Sequence, residues 1–198
     1  INASYALDLS DAFRLMATYF TNDLELMRDE TNPNVRVQGG NTRKRATSDN
    51  QGANIMAQSD LFWGSVGHSL KYGVQYFEQK LSFDSDLDSA NNIIDQSSES
   101  IALCLEDEIA INNQFRLRPG VRVVDQEITY LETNQTGSYD DVLFALAGEF
   151  DLAPNLTLLA SYTELFQAPE LAEPFSGAGG NKIVNPLLEP ESGENLEI

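Results

Sequence analysis

One cysteine, one histidine and one tryptophan occur in 198 residues, and cations are scarce, with 12 Lys and Arg against 31 Asp and Glu. The lone Cys104 excludes an intramolecular disulfide and any multi-cysteine metal site, and reads as a small apolar wall residue. A single histidine, His68, leaves no Ser-His-Asp arrangement to assemble and no HExxH pair. No Gly-rich phosphate loop follows a strand. The sequence therefore offers no enzyme chemistry and implies no cofactor. A net charge of −19 and a pI near 4.1 argue against a nucleic-acid partner, because phosphate neutralisation needs Lys and Arg over much of a face. No run of about 18 apolar residues exists, which excludes a transmembrane helix. It does not exclude a transmembrane β-barrel, whose strands are only half apolar.

What the chain has is alternation. Ile101, Leu103, Leu105, Ile109 and Ile111 share one parity, opposite Ala102, Cys104, Glu106, Glu108 and Ala110, with Asp107 the one misfit. Val142, Phe144, Leu146, Phe150 and Leu152 repeat the pattern, and so do Leu70, Tyr72, Val74 and Tyr76. Further strands are expected at about 2 to 9, 13 to 28, 47 to 62, 116 to 130, 155 to 166 and 192 to 198. That makes roughly nine segments of the length a tilted membrane strand needs, about 9 to 11 residues.

The connections alternate in length. Residues 10 to 12, 63 to 68, 112 to 115 and 153 to 155 are short, whereas 29 to 46, 84 to 98, 131 to 140 and 167 to 191 are long. An outer-membrane barrel has this asymmetry, with short periplasmic turns and long outer loops. The pattern thus favours an all-β antiparallel meander in a membrane barrel, a soluble all-β domain being the alternative.

Two loop stretches invite a ligand reading. Asp84, Asp86, Asp88 and Asp95 copy positions 1, 3, 5 and 12 of a calcium loop, but Ser89 stands where glycine is needed, so a solvated acidic loop is the expectation. Arg43, Lys44 and Arg45 are clustered cations on a long loop, suited to a phosphate-rich outer-leaflet lipid surface.

At 162 to 198 the residues resemble a known family. "YTELFQAPELAEPF" followed by "NPLLEPESGENLEI" is similar to the late-barrel signature of TonB-dependent outer-membrane receptors, on Phe166, Gln167, Ala168 and Pro169, then Asn185, Pro186, Leu187 and Leu188, then Pro190 and Glu191. "HSLKYGVQYFEQK" and "LRPGVRVVDQE" look like two other strands of that family. The resemblance implies a barrel of about 22 strands, of which residues 1 to 198 would be eight or nine, with the plug domain absent. It also implies energised uptake of an iron source, siderophore, haem or haemoprotein, or of another scarce nutrient, through an energy-coupling TonB complex acting on that plug. The rivals are a passive porin-like or structural barrel and a secreted β-domain binding carbohydrate or protein. The two loop motifs resemble those of haem receptors, in which a histidine between them is expected to ligate haem; none lies between Pro169 and Asn185. His68 is expected at a turn edge. Tyr162 and Phe166 fit an upper aromatic girdle, and Pro169 should end strand pairing there.

Overall fold

A computed structural model describes residues 1–31, 41–87, 90–131, 133–171 and 188–198. Nine strands follow in chain order: β1 (Asn2–Ser10), β2 (Phe13–Thr31), β3 (Asn41–Trp63), β4 (Val66–Leu87), β5 (Ala90–Ala110), β6 (Phe115–Tyr130), β7 (Gln135–Ala153), β8 (Leu156–Gln167) and β9 (Glu191–Glu197). Each pairs antiparallel with the next, giving one open sheet ordered β1 to β9. The all-β meander expected from alternation is what forms.

Side-chain parity runs unbroken across the sheet. Leu7, Leu15, Ala57, Tyr72, Leu105, Val121 and Phe144 are successive cross-strand partners, and so are Tyr5, Ala17, Ile55, Val74, Leu103, Val123 and Val142. The interleaved row Asp8, Arg14, Gln58, Lys71, Glu106 and Gly120 points the other way. The apolar face is the open one: Leu103 and Phe144 are each 55% exposed, whereas Ala102 and Val124 on the polar face are 2% and 7%. A soluble sheet does the reverse, so an apolar surface this continuous calls for an apolar solvent. The band runs from the row of Trp63 to that of Ala53, Tyr76 and Ile101, ten residue steps along β3. At about 3.3 Å per residue and a tilt near 40° this spans roughly 25 Å, the height of a membrane barrel's apolar belt.

The four short turns all close at one end. The β3–β4 turn is a two-residue hairpin in which Gly64 takes φ 67°, the positive value required at the first central position of a type II′ turn. At β5–β6 the Asn112 carboxamide Oδ1 accepts the Gln114 and Phe115 N–H groups at 2.8 and 2.9 Å, an Asx turn.

At the other end the strands overrun expectation. Seven of the nine exceed the 9 to 11 residues foreseen, and β3, β4 and β5 reach 23, 22 and 21. Residues 29 to 46 and 84 to 98 were expected as loops; instead Arg43 and Lys44 lie in β3 opposite Asp29 and Arg28, and Ser85 faces Asn92 across a long hairpin. Above the apolar belt both faces meet water, so alternation stops while ladder hydrogen bonds continue.

Asp107, the misfit of β5, also finds its reason. It faces the apolar side beside His68, and His68 Nδ1 lies 2.7 Å from Asp107 Oδ2, both side chains about four-fifths covered. The β5–β6 register is continuous from Glu106↔Gly120 to Ile109↔Leu117 but unpaired between, where Pro119 has no N–H to give.

Candidate functional site

The polar face divides into two zones. Toward the short turns it carries a ladder of opposite charges: Arg118 Nε donates to Glu108 Oε2 at 2.9 Å and its Nη2 to Glu149 Oε2 at 3.4 Å, Arg116 bonds Glu149, and Lys71 pairs with Glu106 at 3.4 Å. Their charges are mutually satisfied, so this zone is built for solvated or polar contact rather than capture.

Toward the long-strand end the same face forms a cavity of about 610 Å³. Its floor is Phe77, Gln79 and Leu81 of β4, Ser98 and Ser100 of β5, Arg122, Val124 and Gln126 of β6 and Leu143 of β7; its roof is residues 166 to 171. The hydrogen-bonding groups are held in place. Arg122 Nη1 donates to Gln75 Oε1 at 2.7 Å, and Gln126 Nε2 donates to Ser98 Oγ at 2.9 Å. The aromatic side of the wall is extended by Phe20, whose ring covers Gly52 and reaches Phe77 with centroids 6.1 Å apart. One cation (Arg122), one carboxylate (Glu170, which accepts from Gln167 Nε2 at 3.2 Å), amides, hydroxyls and ring faces around one concavity suit a ligand that joins charged or polar groups to apolar parts.

The roof corrects one expectation. Phe166 does not join an outer aromatic girdle with Tyr162: it packs against the buried cluster of Ile128, Tyr130, Tyr139 and Ala168, together with Leu171. The cause is a parting of strands. β7–β8 pairing stops at Ala145↔Thr163, and the Phe144 N–H is accepted at 2.8 Å by the Glu164 carboxylate. Released from β7, the end of β8 turns inward, carrying Ala168 and Pro169 to buried positions. Burial raises the Tyr139 phenol above its ordinary pKa.

Of the motif residues, Phe166, Gln167, Ala168 and Pro169 thus meet at the cavity; Glu191 starts β9 opposite Gln167, with Leu188 and Pro190 just before it. Asn185, Pro186 and Leu187 lie outside the described residues. Arg45 bonds Glu25 at 2.7 Å on the apolar-belt side of β3, eight residues beyond Ala53. Asp84 and Asp86 lie on β4 and Asp95 on β5, spread along an antiparallel ladder rather than curled in a loop, and Asp88 lies outside the described residues. Among the described residues no group of three or more His, Cys, Asp or Glu is placed to hold a metal ion. The floor residues were not singled out from the sequence, although polar parity beside an apolar row was the available signal.

A family model described as TonB dependent receptor-like, beta-barrel, matches residues 1–198. No curated protein sequence matches the chain. Among solved structures, the copper transporter OprC superposes with a TM-score of 0.79 at 17% identity, covering 98% of this chain and 34% of its own. The siderophore receptor PiuA from Acinetobacter baumannii gives 0.73 at 17% identity, over 98% and 36%. The unliganded ferric citrate transporter FecA gives 0.71 at 18%, over 83% and 26%. The chain therefore spans about a quarter to a third of the length of these structures, and at such identities the likeness is one of fold.

Proposed function

The chain belongs to the TonB-dependent receptor β-barrel family, and from that premise we propose that it is barrel wall and outer rim of a bacterial outer-membrane receptor for energised nutrient uptake. The observation that carries this reading is the cavity roofed by residues 166 to 171, set on the polar face at the end opposite the tight turns. In a barrel that face is the lumen, the exposed apolar rows meet lipid, and the long-strand end is extracellular. The ligand class is a chelated metal: a ferric siderophore or haem, each of which combines negative charge with apolar or ring surface. Arg122 supplies the opposite charge and Phe77 and Phe166 the ring contacts. Siderophore is favoured over haem, since no histidine lines this cavity. The charge ladder of Arg116, Arg118, Glu108 and Glu149 would face the plug on which TonB pulls. Arg43, Lys44 and Arg45 remain our candidates for outer-leaflet phosphate. No catalytic role is proposed.

The test is titration of the full-length receptor with ferric siderophores and with haem, followed by fluorescence quenching and the Soret band. Arg122→Ala should weaken the bound chelate about tenfold, the worth of one charged hydrogen bond. Unchanged binding of every ligand by that variant would remove the cavity from the reading. Uptake that persists without inner-membrane energy would favour a passive pore.

A further inference from the structure

Beyond Arg122 the polar face changes character. Four successive cross-strand rows, from that of Thr18, Asn54 and Gln75 to that of Leu24, Ser48 and Leu81, carry no charged side chain on this face between β2 and β6. At the same heights the opposite face carries Asp23, Asp49, Glu78, Lys80, Glu99 and Glu127. Above the belt both faces meet water, so solvation does not account for the difference. Asn22, Asn50, Gln79 and Ser98 are successive partners on one of the neutral rows. Asn50 Nδ2 donates to Asn22 Oδ1 at 2.8 Å and to Ser48 Oγ at 3.2 Å, and Gln79 Nε2 donates to the same Ser48 oxygen at 3.3 Å. Those bonds fix the side chains. Within the described residues they leave Asn22 Nδ2 and Gln79 Oε1 unengaged, as the bond to Ser98 leaves Gln126 Oε1. The next row toward the turns is a ring row, where Phe20 and Phe77 meet over Gly52 at a tilt of 31° and Phe77 stays 37% exposed.

We propose that this wall binds an uncharged glycosyl unit, its ring face on Phe20 and Phe77 and its hydroxyls on Asn22, Asn50 and Gln79. The inference rests on the reading of this face as the receptor lumen and extends the site beyond the cavity, whose lining includes Phe77 and Gln79 but neither Asn22 nor Asn50. An ionised ligand group entering the neutral rows would shed water and find no counter-charge. A sugar loses less, because each hydroxyl both donates and accepts, and a carboxamide offers a donor pair beside an acceptor. The C–H face of a sugar ring needs an apolar platform, which the phenyl faces supply. From β2 to β5 the amide row spans about 14 Å, long enough for more than one sugar ring. Such a unit reaches the wall as a free oligosaccharide or as the appendage of a glycosylated chelate, and the contacts are the same.

The test is calorimetric titration of the full-length receptor with neutral gluco-, galacto- and manno-oligosaccharides, and with a ferric tris-catecholate in bare and glucosylated forms. A free oligosaccharide should bind, or the glucosylated chelate should bind about tenfold tighter than the bare one. Asn50→Ala and Phe77→Leu should each weaken that sugar-dependent binding about tenfold. Gly52→Ala should weaken it by displacing the Phe20 ring, since the added Cβ would lie 2.6 Å from a ring carbon. Heat-modifiable gel migration verifies that each variant is a folded barrel. Where one does not fold, deoxy-sugar probes remove the same hydrogen bonds one at a time on the wild type. A bare chelate that binds as tightly as its glucosylated form, with no oligosaccharide bound, overturns the inference and leaves the chelate reading standing. Oligosaccharide binding without any chelate binding does the reverse. Sugar affinity unchanged in both Asn50→Ala and Phe77→Leu overturns the assignment to this wall.

Discussion

Ala57 and Gln58 are adjacent on β3 and point to opposite faces, which makes them a direct test of which side meets lipid. Ala57 stands between Leu15 and Tyr72 near the middle of the apolar belt; Gln58 stands between Arg14 and Lys71 and donates to Asp60 Oδ1 and Ser69 Oγ. Replacing either with arginine adds the same side chain at nearly the same height. At Ala57 almost no apolar contact is lost, so the cost is that of placing a guanidinium near the bilayer midplane, about 2–4 kcal/mol in a membrane barrel. That corresponds to a drop of roughly thirtyfold to seven-hundredfold in the folded-to-unfolded ratio. At Gln58 the new charge meets water and the Asp60 carboxylate but stands between Arg14 and Lys71, and the expected cost is at most about 1 kcal/mol. Urea titration of the full-length receptor in lipid vesicles measures both. Equal costs, or the larger cost at Gln58, would refute the assignment of lipid and lumen faces, and with it the placement of the cavity.

Three further outcomes follow from single contacts. Glu164→Ala removes the carboxylate that accepts the Phe144 N–H where β7 and β8 part; a loss of about 1–3 kcal/mol is expected, measured by the same titration, and faster amide exchange at Phe144 should accompany it. His68→Ala leaves Asp107 unpaired at a site mostly closed to solvent and should cost about 3–5 kcal/mol, whereas a double change to apolar residues of similar volume should be close to neutral. A double variant as unstable as the single would show that the pair does more than balance itself. Charge reversal of Arg43, Lys44 and Arg45 should reduce outer-leaflet lipid retained on purification; retention at the wild-type level would end the lipid-contact proposal.

Parity carried most of the fold, because between Asp107 and Ile101 each residue of β5 faces either lipid or lumen and the two solvents demand different side chains. Where both faces meet water that demand lapses. Ser82, Asp84, Ile93 and Asp95 show no alternation, yet their backbones pair as regularly as those of the belt. Strand length above the membrane was therefore invisible to side-chain pattern. Phe166 was misplaced for the opposite reason: parity with Tyr162 was correct, but β8 leaves β7 after Thr163 and the rule ends with the ladder. Asp107 looked like an error of pattern because its partner, His68, is 39 residues away in sequence.

Cys104 marks the limit of that reasoning. Counting cysteines excluded a cysteine cluster, but it could not show that Cys104 meets Met56, because strand register decides that. Its nearest sulfur is 48 residues distant in sequence and sits on a strand that β5 does not touch. What joins them is the absence of a side chain at Gly73. In an antiparallel meander any residue has one fixed partner on each neighbouring strand, so contact two strands away arises where the intervening position is empty or where a long side chain reaches across, as Arg122 of β6 does to Gln75 of β4. Gly52 does the same for Phe20 and Phe77. On both rows a glycine in β3 or β4 converts a pairwise wall into a three-strand contact, once between rings beside the cavity and once between sulfurs on the row of Arg122.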